Sequence, residues 1–211
     1  MLSAAPCQGP LRRVGAPAYS ARMRICVFSS SSDAVGEAYT AAAAALGALI
    51  GRGGHTLVYG GGRVGLMGAT ARAVHQNGGR VVGIIPEFMN RPGVPYRECD
   101  ELTFTKDMRE RKARMAELAE AFVALPGGFG TLEELSEVIT LKQFGFHAGP
   151  LVAVNTAGFY DALSAFFEGF YRESFAKTAF RATCPFVPTP EAAMEYIAGY
   201  TAPPLTSKWF T

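Results

Sequence analysis

The chain is poor in the residues that announce metal or redox chemistry. Its four cysteines, Cys7, Cys26, Cys99 and Cys184, never fall at CxxC spacing. That leaves them as thiols of a reducing, cytoplasmic setting rather than as ligands or a disulfide frame. The three histidines, His55, His75 and His147, are scattered, and none pairs with another His, Cys or acid at ligand spacing, so no metal is expected. No apolar run is long enough to span a bilayer. Neither charge dominates: the net charge is +2, with no basic stripe interleaved with aromatics, which argues against nucleic acid and against an acidic membrane surface. The motif GxxxxGK[ST] is missing, so the residues that handle terminal phosphates and Mg²⁺ in P-loop enzymes are not there. Only five lysines are present, and none sits in a motif for a pyridoxal phosphate Schiff base.

What remains is a core-rich chain. Its 211 residues are 49% hydrophobic with a mean hydropathy of +0.13, enough for one domain with a sizeable core. Residues 1–22 stand apart, with Arg12, Arg13 and Arg22 but no acid. They read as a disordered tail, as an upstream start before Met23, or as an organelle-targeting segment. The domain is expected over 23–200, followed by a loose tail over 201–211.

Short apolar runs bounded by Gly or Pro alternate with amphipathic stretches. Strands are expected at 24–28, 56–59, 80–85, 101–104, 122–125 and 151–155. Helices are expected at 37–52, 65–77, 107–120, 131–144, 159–172 and 190–200. This alternation predicts an α/β, Rossmann-like, doubly wound parallel sheet with helices on both faces. Ligands of such sheets lie beyond the carboxyl ends of the strands. The polar loop Ser29–Ser32, the turn Gly60–Gly62 and the turn after Leu125 all fall at that end.

The densest chemistry is Pro126-Gly127-Gly128-Phe129-Gly130-Thr131-Leu132-Glu133-Glu134. Glycines at a strand-to-helix turn bring backbone N–H groups to a phosphate, and the helix N-terminus adds positive potential. The amides of Gly61 and Gly62 form a second candidate cradle, which carries on into the helix from Gly65. The acid that a dinucleotide fingerprint needs after the next strand is absent, since Ile85 is followed by Pro86. Glu134 has two readings: a carboxylate beside the ligand, or N3 of a capping box with Thr131 at N-cap. Arg111 and Lys112 likewise read either as a solvated charged helix face or as a guanidinium presented to ligand.

The set Tyr59-Gly60-Gly61-Gly62, Gly65-Leu66-Met67-Gly68, Met108-x-x-Arg111-Lys112 and Pro126-Gly127-Gly128-x-Gly130-Thr131-x-x-Glu134 resembles the LOG (Lonely Guy) family. These are cytokinin riboside 5′-monophosphate phosphoribohydrolases, often mislabelled as lysine decarboxylases. The resemblance covers about 24–200. It implies a homodimer that hydrolyses the N-glycosidic bond of a nucleoside 5′-monophosphate of AMP type, without a cofactor. It also implies that Arg111 and Glu134 are catalytic, and that Lys112, Gly128, Phe129, Gly130, Thr131, Leu132, Glu133 and Thr140 contact the nucleotide. The chain departs from the family with Ser29 to Ser32 in place of Cys-Gly-Ser-Ser, with Arg109 in place of a common His, and with Gly93 where a Glu is frequent. These departures bear on base preference more than on reaction type. An AMP or purine nucleotide nucleosidase, and a non-enzymatic nucleotide or cofactor carrier, are the alternatives to a cytokinin-directed enzyme.

Overall fold

The computed structural model describes residues 22–204 and 207–209. The segment 1–22, apart from Arg22, lies outside the described residues. So do 205–206 and 210–211 of the C-terminal tail.

Seven strands form one sheet: β1 (Arg24–Phe28), β2 (Thr56–Tyr59), β3 (Arg80–Pro86), β4 (Glu101–Thr105), β5 (Ala121–Ala124), β6 (Leu151–Val154) and β7 (Phe186–Val187). Their spatial order is β4-β3-β2-β1-β5-β6-β7, and every pairing is parallel. Among the described residues six α-helices complete the fold: α1 (Glu37–Arg52), α2 (Gly65–Gln76), α3 (Met108–Leu118), α4 (Phe129–Gln143), α5 (Asp161–Arg172) and α6 (Pro190–Ala198).

Side chains alternate across each strand, which splits the apolar content into two cores. Ile25, Val27, Leu57 and Tyr59 face the layer of α1, α2 and α6, where they meet Leu46, Ile50, Leu66, Val74 and Ile197. Cys26, Phe28, Val58, Ile84 and Phe122 face the opposite layer, with Met115 of α3 and Leu135 and Val138 of α4. The central strands are buried on both faces, which is why they read as unbroken apolar runs. α1 and α2 touch backbone to backbone. A Cβ on Gly47 would lie 2.4 Å from the Thr70 carbonyl oxygen. The Thr70 hydroxyl, buried in this seam, donates to Leu66 O and Ala43 O.

β7 was not anticipated, since two residues carry no periodicity. It forms because Val187 O accepts from Asn155 N–H at the sheet edge. The larger correction concerns α4. Its N-cap is Gly128 and its first residue Phe129, so Thr131 is not the cap and Glu134 lies beyond the first turn. The capping-box reading of Thr131 and Glu134 therefore fails. Gly128 holds extended backbone, and the helix starts as soon as the glycine pair has turned the chain.

The chain runs from β1 outward to β4, then crosses to β5 on the other side of β1. The order reverses between β1 and β5, and a crevice opens where their following loops part.

Candidate active site

Three loops converge at that crevice. Ser30 N–H donates to the Pro126 carbonyl at 3.3 Å, and Ser30 O accepts from Met67 N–H at 3.2 Å. Ser30 thus ties the β1 loop to both glycine turns. Gly65 has φ +62°, and a Cβ there would lie 2.6 Å from the backbone of Ser31 and Ser32. The serines consequently press against the start of α2, and the third N–H of that helix is already taken by Ser30.

The start of α4 is more open. No side chain caps it, and a Cβ on Gly128 or Gly130 would meet nothing within 4 Å. The first N–H groups of an uncapped helix are donors aimed at whatever anion approaches. The turn is held firmly from below. Tyr160 OH donates to Leu125 O at 2.7 Å, and Gly127 has no room for a Cβ, which would lie 2.1 Å from the Thr131 hydroxyl oxygen. Thr131 is buried and points back into the turn.

Arg111 and Glu134 meet inside this frame. Arg111 Nη1 donates to Glu134 Oε1 at 2.9 Å, with the two side chains 7% and 5% exposed. Arg111 Nε donates to the Ile84 carbonyl at 3.1 Å, so one guanidinium joins β3 to α4. Solvated surface is therefore the wrong reading for Arg111. Burial pushes the Glu134 carboxyl above its ordinary value, and the charge and hydrogen bond of Arg111 oppose that rise without cancelling it. A buried carboxylate held by one fork of an arginine keeps its second oxygen for a ligand.

Lys112, the next residue of α3, turns to the outer side of α4. It pairs with Glu133 and, at 3.1 Å, with Glu137. Burial opposes its charge, yet the two carboxylates outweigh that and raise its pKa. Inner and outer pairs therefore clamp α3 to α4. Glu137 was missed in the sequence, although its i,i+4 spacing from Glu133 was the available signal. Phe129 and Leu132 stand on the helix surface, 91% and 38% exposed. Thr140 is not brought to the pair. Six residues past Glu134 it has turned about 240° around the axis, it is exposed, and its hydroxyl donates to Ser136 O.

Among the described residues no group of three His, Cys, Asp or Glu side chains is placed to hold a metal ion. No helix among them is long and apolar enough to cross a membrane.

Comparison with known proteins shows which family the chain resembles. Residues 67–197 match the family model described as "Possible lysine decarboxylase". The chain is 40% identical over 178 residues to cytokinin riboside 5′-monophosphate phosphoribohydrolase LOG4 of Arabidopsis thaliana, covering 84% of this chain and 83% of that one. It is 45% identical over 152 residues to the LOG protein of the same activity from Oryza sativa subsp. japonica, covering 72% and 63%. Among solved structures, the molybdenum cofactor binding protein of Rippkaea orientalis aligns with a TM-score of 0.65 at 21% identity, over 84% of this chain and 96% of that one. That likeness shows a shared Rossmann-like fold and nothing of ligand or activity.

Proposed function

The chain belongs to the LOG family, and from that premise we propose that it hydrolyses the N-glycosidic bond of a cytokinin riboside 5′-monophosphate. The products are the free base and ribose 5-phosphate. The observation that carries this reading is the buried Arg111–Glu134 pair beside an uncapped helix N-terminus. A phosphate carrier needs the helix N-terminus but has no use for a carboxylate at its side.

The 5′-phosphate is received by the N–H groups of Gly128, Phe129, Gly130 and Thr131, with Gly61 and Gly62 on the facing turn. Lys112 and Glu133 border the ligand from the outer side of α4. Breaking the bond from C1′ to the base builds positive charge on the ribose. Glu134 faces that charge and takes a proton from the water that attacks C1′. The departing base leaves with the bonding electron pair and ends with the proton that Glu134 took from the water, which returns Glu134 to its carboxylate form. Arg111 keeps the carboxylate in place and keeps it ionised. One acid–base group contributes about 10²–10⁴ in rate, whereas enzymes reach ~10⁶ or more. Positioning through the phosphate supplies the difference.

A homodimer accompanies this reading. Phe129 and Leu132 on α4, and Phe166 and Phe175 in and after α5, are apolar and exposed in the single chain. The free thiols Cys26, Cys99 and Cys184 suit a reducing, cytoplasmic setting.

The experiment is incubation with a panel of 5′-monophosphates, isopentenyl-adenosine monophosphate and AMP foremost, measuring free base and ribose 5-phosphate. Faster release from the isopentenyl substrate supports the cytokinin reading. Preference for AMP makes the protein a purine nucleotide nucleosidase, and release from none of them ends the hydrolase reading. Light scattering on a sizing column reads the dimer.

A further inference from the structure

The turn Gly60–Gly62 belongs to neither strand nor helix, and Gly61 takes φ +72°. A short glycine turn has many conformations open to it, so something outside the turn must hold it. The hydrogen bonds identify the segment 93–96, within the long connection between β3 and β4. Tyr96 N–H donates to Gly61 O at 2.8 Å, and Arg63 N–H donates to Val94 O at 2.9 Å. Together they make a single antiparallel bridge, Gly62 opposite Pro95. Proline fits there because this pairing asks no N–H of the bridging residue. For the same reason the bridge leaves the Gly62 N–H unused.

The 93–96 segment is itself tethered by side chains. Tyr96 is 7% exposed, and its hydroxyl lies 3.1 Å from His75 Nδ1 on α2. His75 Nε2 lies 3.0 Å from Asp100 Oδ2, which also accepts from Val81 N–H of β3 at 2.7 Å. Burial works against the Asp100 charge, but the bonds from Val81 and His75 prevail and hold its carboxyl below the ordinary value. An ionised carboxylate only accepts, so Nε2 carries a proton toward Asp100, and the Tyr96 hydroxyl shares a hydrogen bond with Nδ1. The order of links is Val81 backbone, Asp100, His75, Tyr96, Gly61.

We infer that His75 and Tyr96 are positioning residues that hold the Gly61–Gly62 turn at the place where the 5′-phosphate is bound, their side chains acting through the Tyr96 backbone and without contact with substrate. The inference rests on the proposed function for the identity of the ligand. It adds that phosphate affinity is set partly by a hydrogen-bonded strap on the α2 face.

Tyr96→Phe removes one hydroxyl and leaves the ring in its packing. His75→Ala breaks the same strap at a partly exposed position and serves as the second variant. The readout is inhibition of base release from AMP by ribose 5-phosphate and, separately, by adenine. Each variant weakens ribose 5-phosphate inhibition about 3–10-fold, the equivalent of one hydrogen bond. Adenine inhibition and kcat stay within about 2-fold, and the double variant is no worse than the stronger single one. A purely structural role weakens both inhibitors together, and that result overturns the inference, as does an unchanged ribose 5-phosphate constant. Calorimetric binding of AMP against adenosine makes the same comparison without turnover. A protein that releases no base therefore still tests the strap, and the two failures are distinguishable.

Discussion

The guanidinium of Arg111 occupies the space that a Cβ on residue 60 would fill, with Nη2 only 1.9 Å from that position. Gly60 is thus glycine for the sake of a side chain 51 residues further along the sequence. Its φ lies outside the left-handed region, so the requirement is for room.

Gly60→Ala therefore tests the ion pair without touching either member. The methyl group forces Arg111 off Ile84 O and Glu134, and overpacking of this kind costs about 1–3 kcal/mol. We expect a folded protein with kcat lowered at least ~10-fold. Thermal melting read beside kcat checks this, and unchanged turnover would show the pair to be dispensable.

Glu134→Gln keeps the shape and removes the charge. Because Gly128 stands at the N-cap position and Glu134 caps nothing, the substitution takes no cap away. Turnover falls by about 10²–10⁴, while AMP affinity stays within about 3-fold. Glu134→Ala goes further and leaves Arg111 charged and unpaired in a buried site, which costs about 3–5 kcal/mol. Denaturant melts and single-turnover kinetics on the two variants separate chemistry from stability.

The acid limb of kcat reports the Glu134 carboxyl. Burial raises its pKa above 4.5, so activity falls as pH drops through a value higher than that of a free glutamate. Arg111 pulls the pKa down. Arg111→Gln removes that pull, so the limb moves to still higher pH. A limb that stays in place would mean that another group titrates.

Gly130→Ala separates the helix from the anion site. A Cβ there meets nothing, and alanine is favoured over glycine inside a helix by about 0.5–1 kcal/mol. Stability should rise slightly while KM for AMP rises several-fold, because the methyl group stands among the amides proposed to hold the phosphate. Equal KM values would place the phosphate elsewhere.

Lys142 gives a signal far from the crevice. Its ammonium donates to Gly149 O and Tyr200 OH, and burial lowers its pKa from 10.5 to about 8. Between those two values the unfolded chain holds the proton and the folded chain releases it, so this group makes stability rise with pH across that window. Melting temperatures of the native protein and Lys142→Met from pH 7 to pH 10.5 should diverge in slope, the variant being flatter.

Most of the sheet was legible because parallel strands buried on both faces leave unbroken apolar runs. β1, α1 and β2 fall where the periodicity places them, at Arg24–Phe28, Glu37–Arg52 and Thr56–Tyr59. β7 was not legible, since its two residues exist as a strand only through β6. The capping-box pattern at Thr131 misled because residue type names a preferred partner, whereas helix onset depends on backbone angles that Gly128 had already set.

By itself the sequence determined the α/β class, the glycine turns at the carboxyl end of the sheet and the pairing of RK with PGGxGTxxE. Those are local patterns of hydrophobicity and chain flexibility, complete within a few residues. Only the tertiary structure decided that Arg111 is buried, that Lys112 serves the outer face and that Thr140 turns away. Burial and ion pairing belong to the space between α3, α4 and β3, and that space exists only once residues 23 positions apart have been folded against each other.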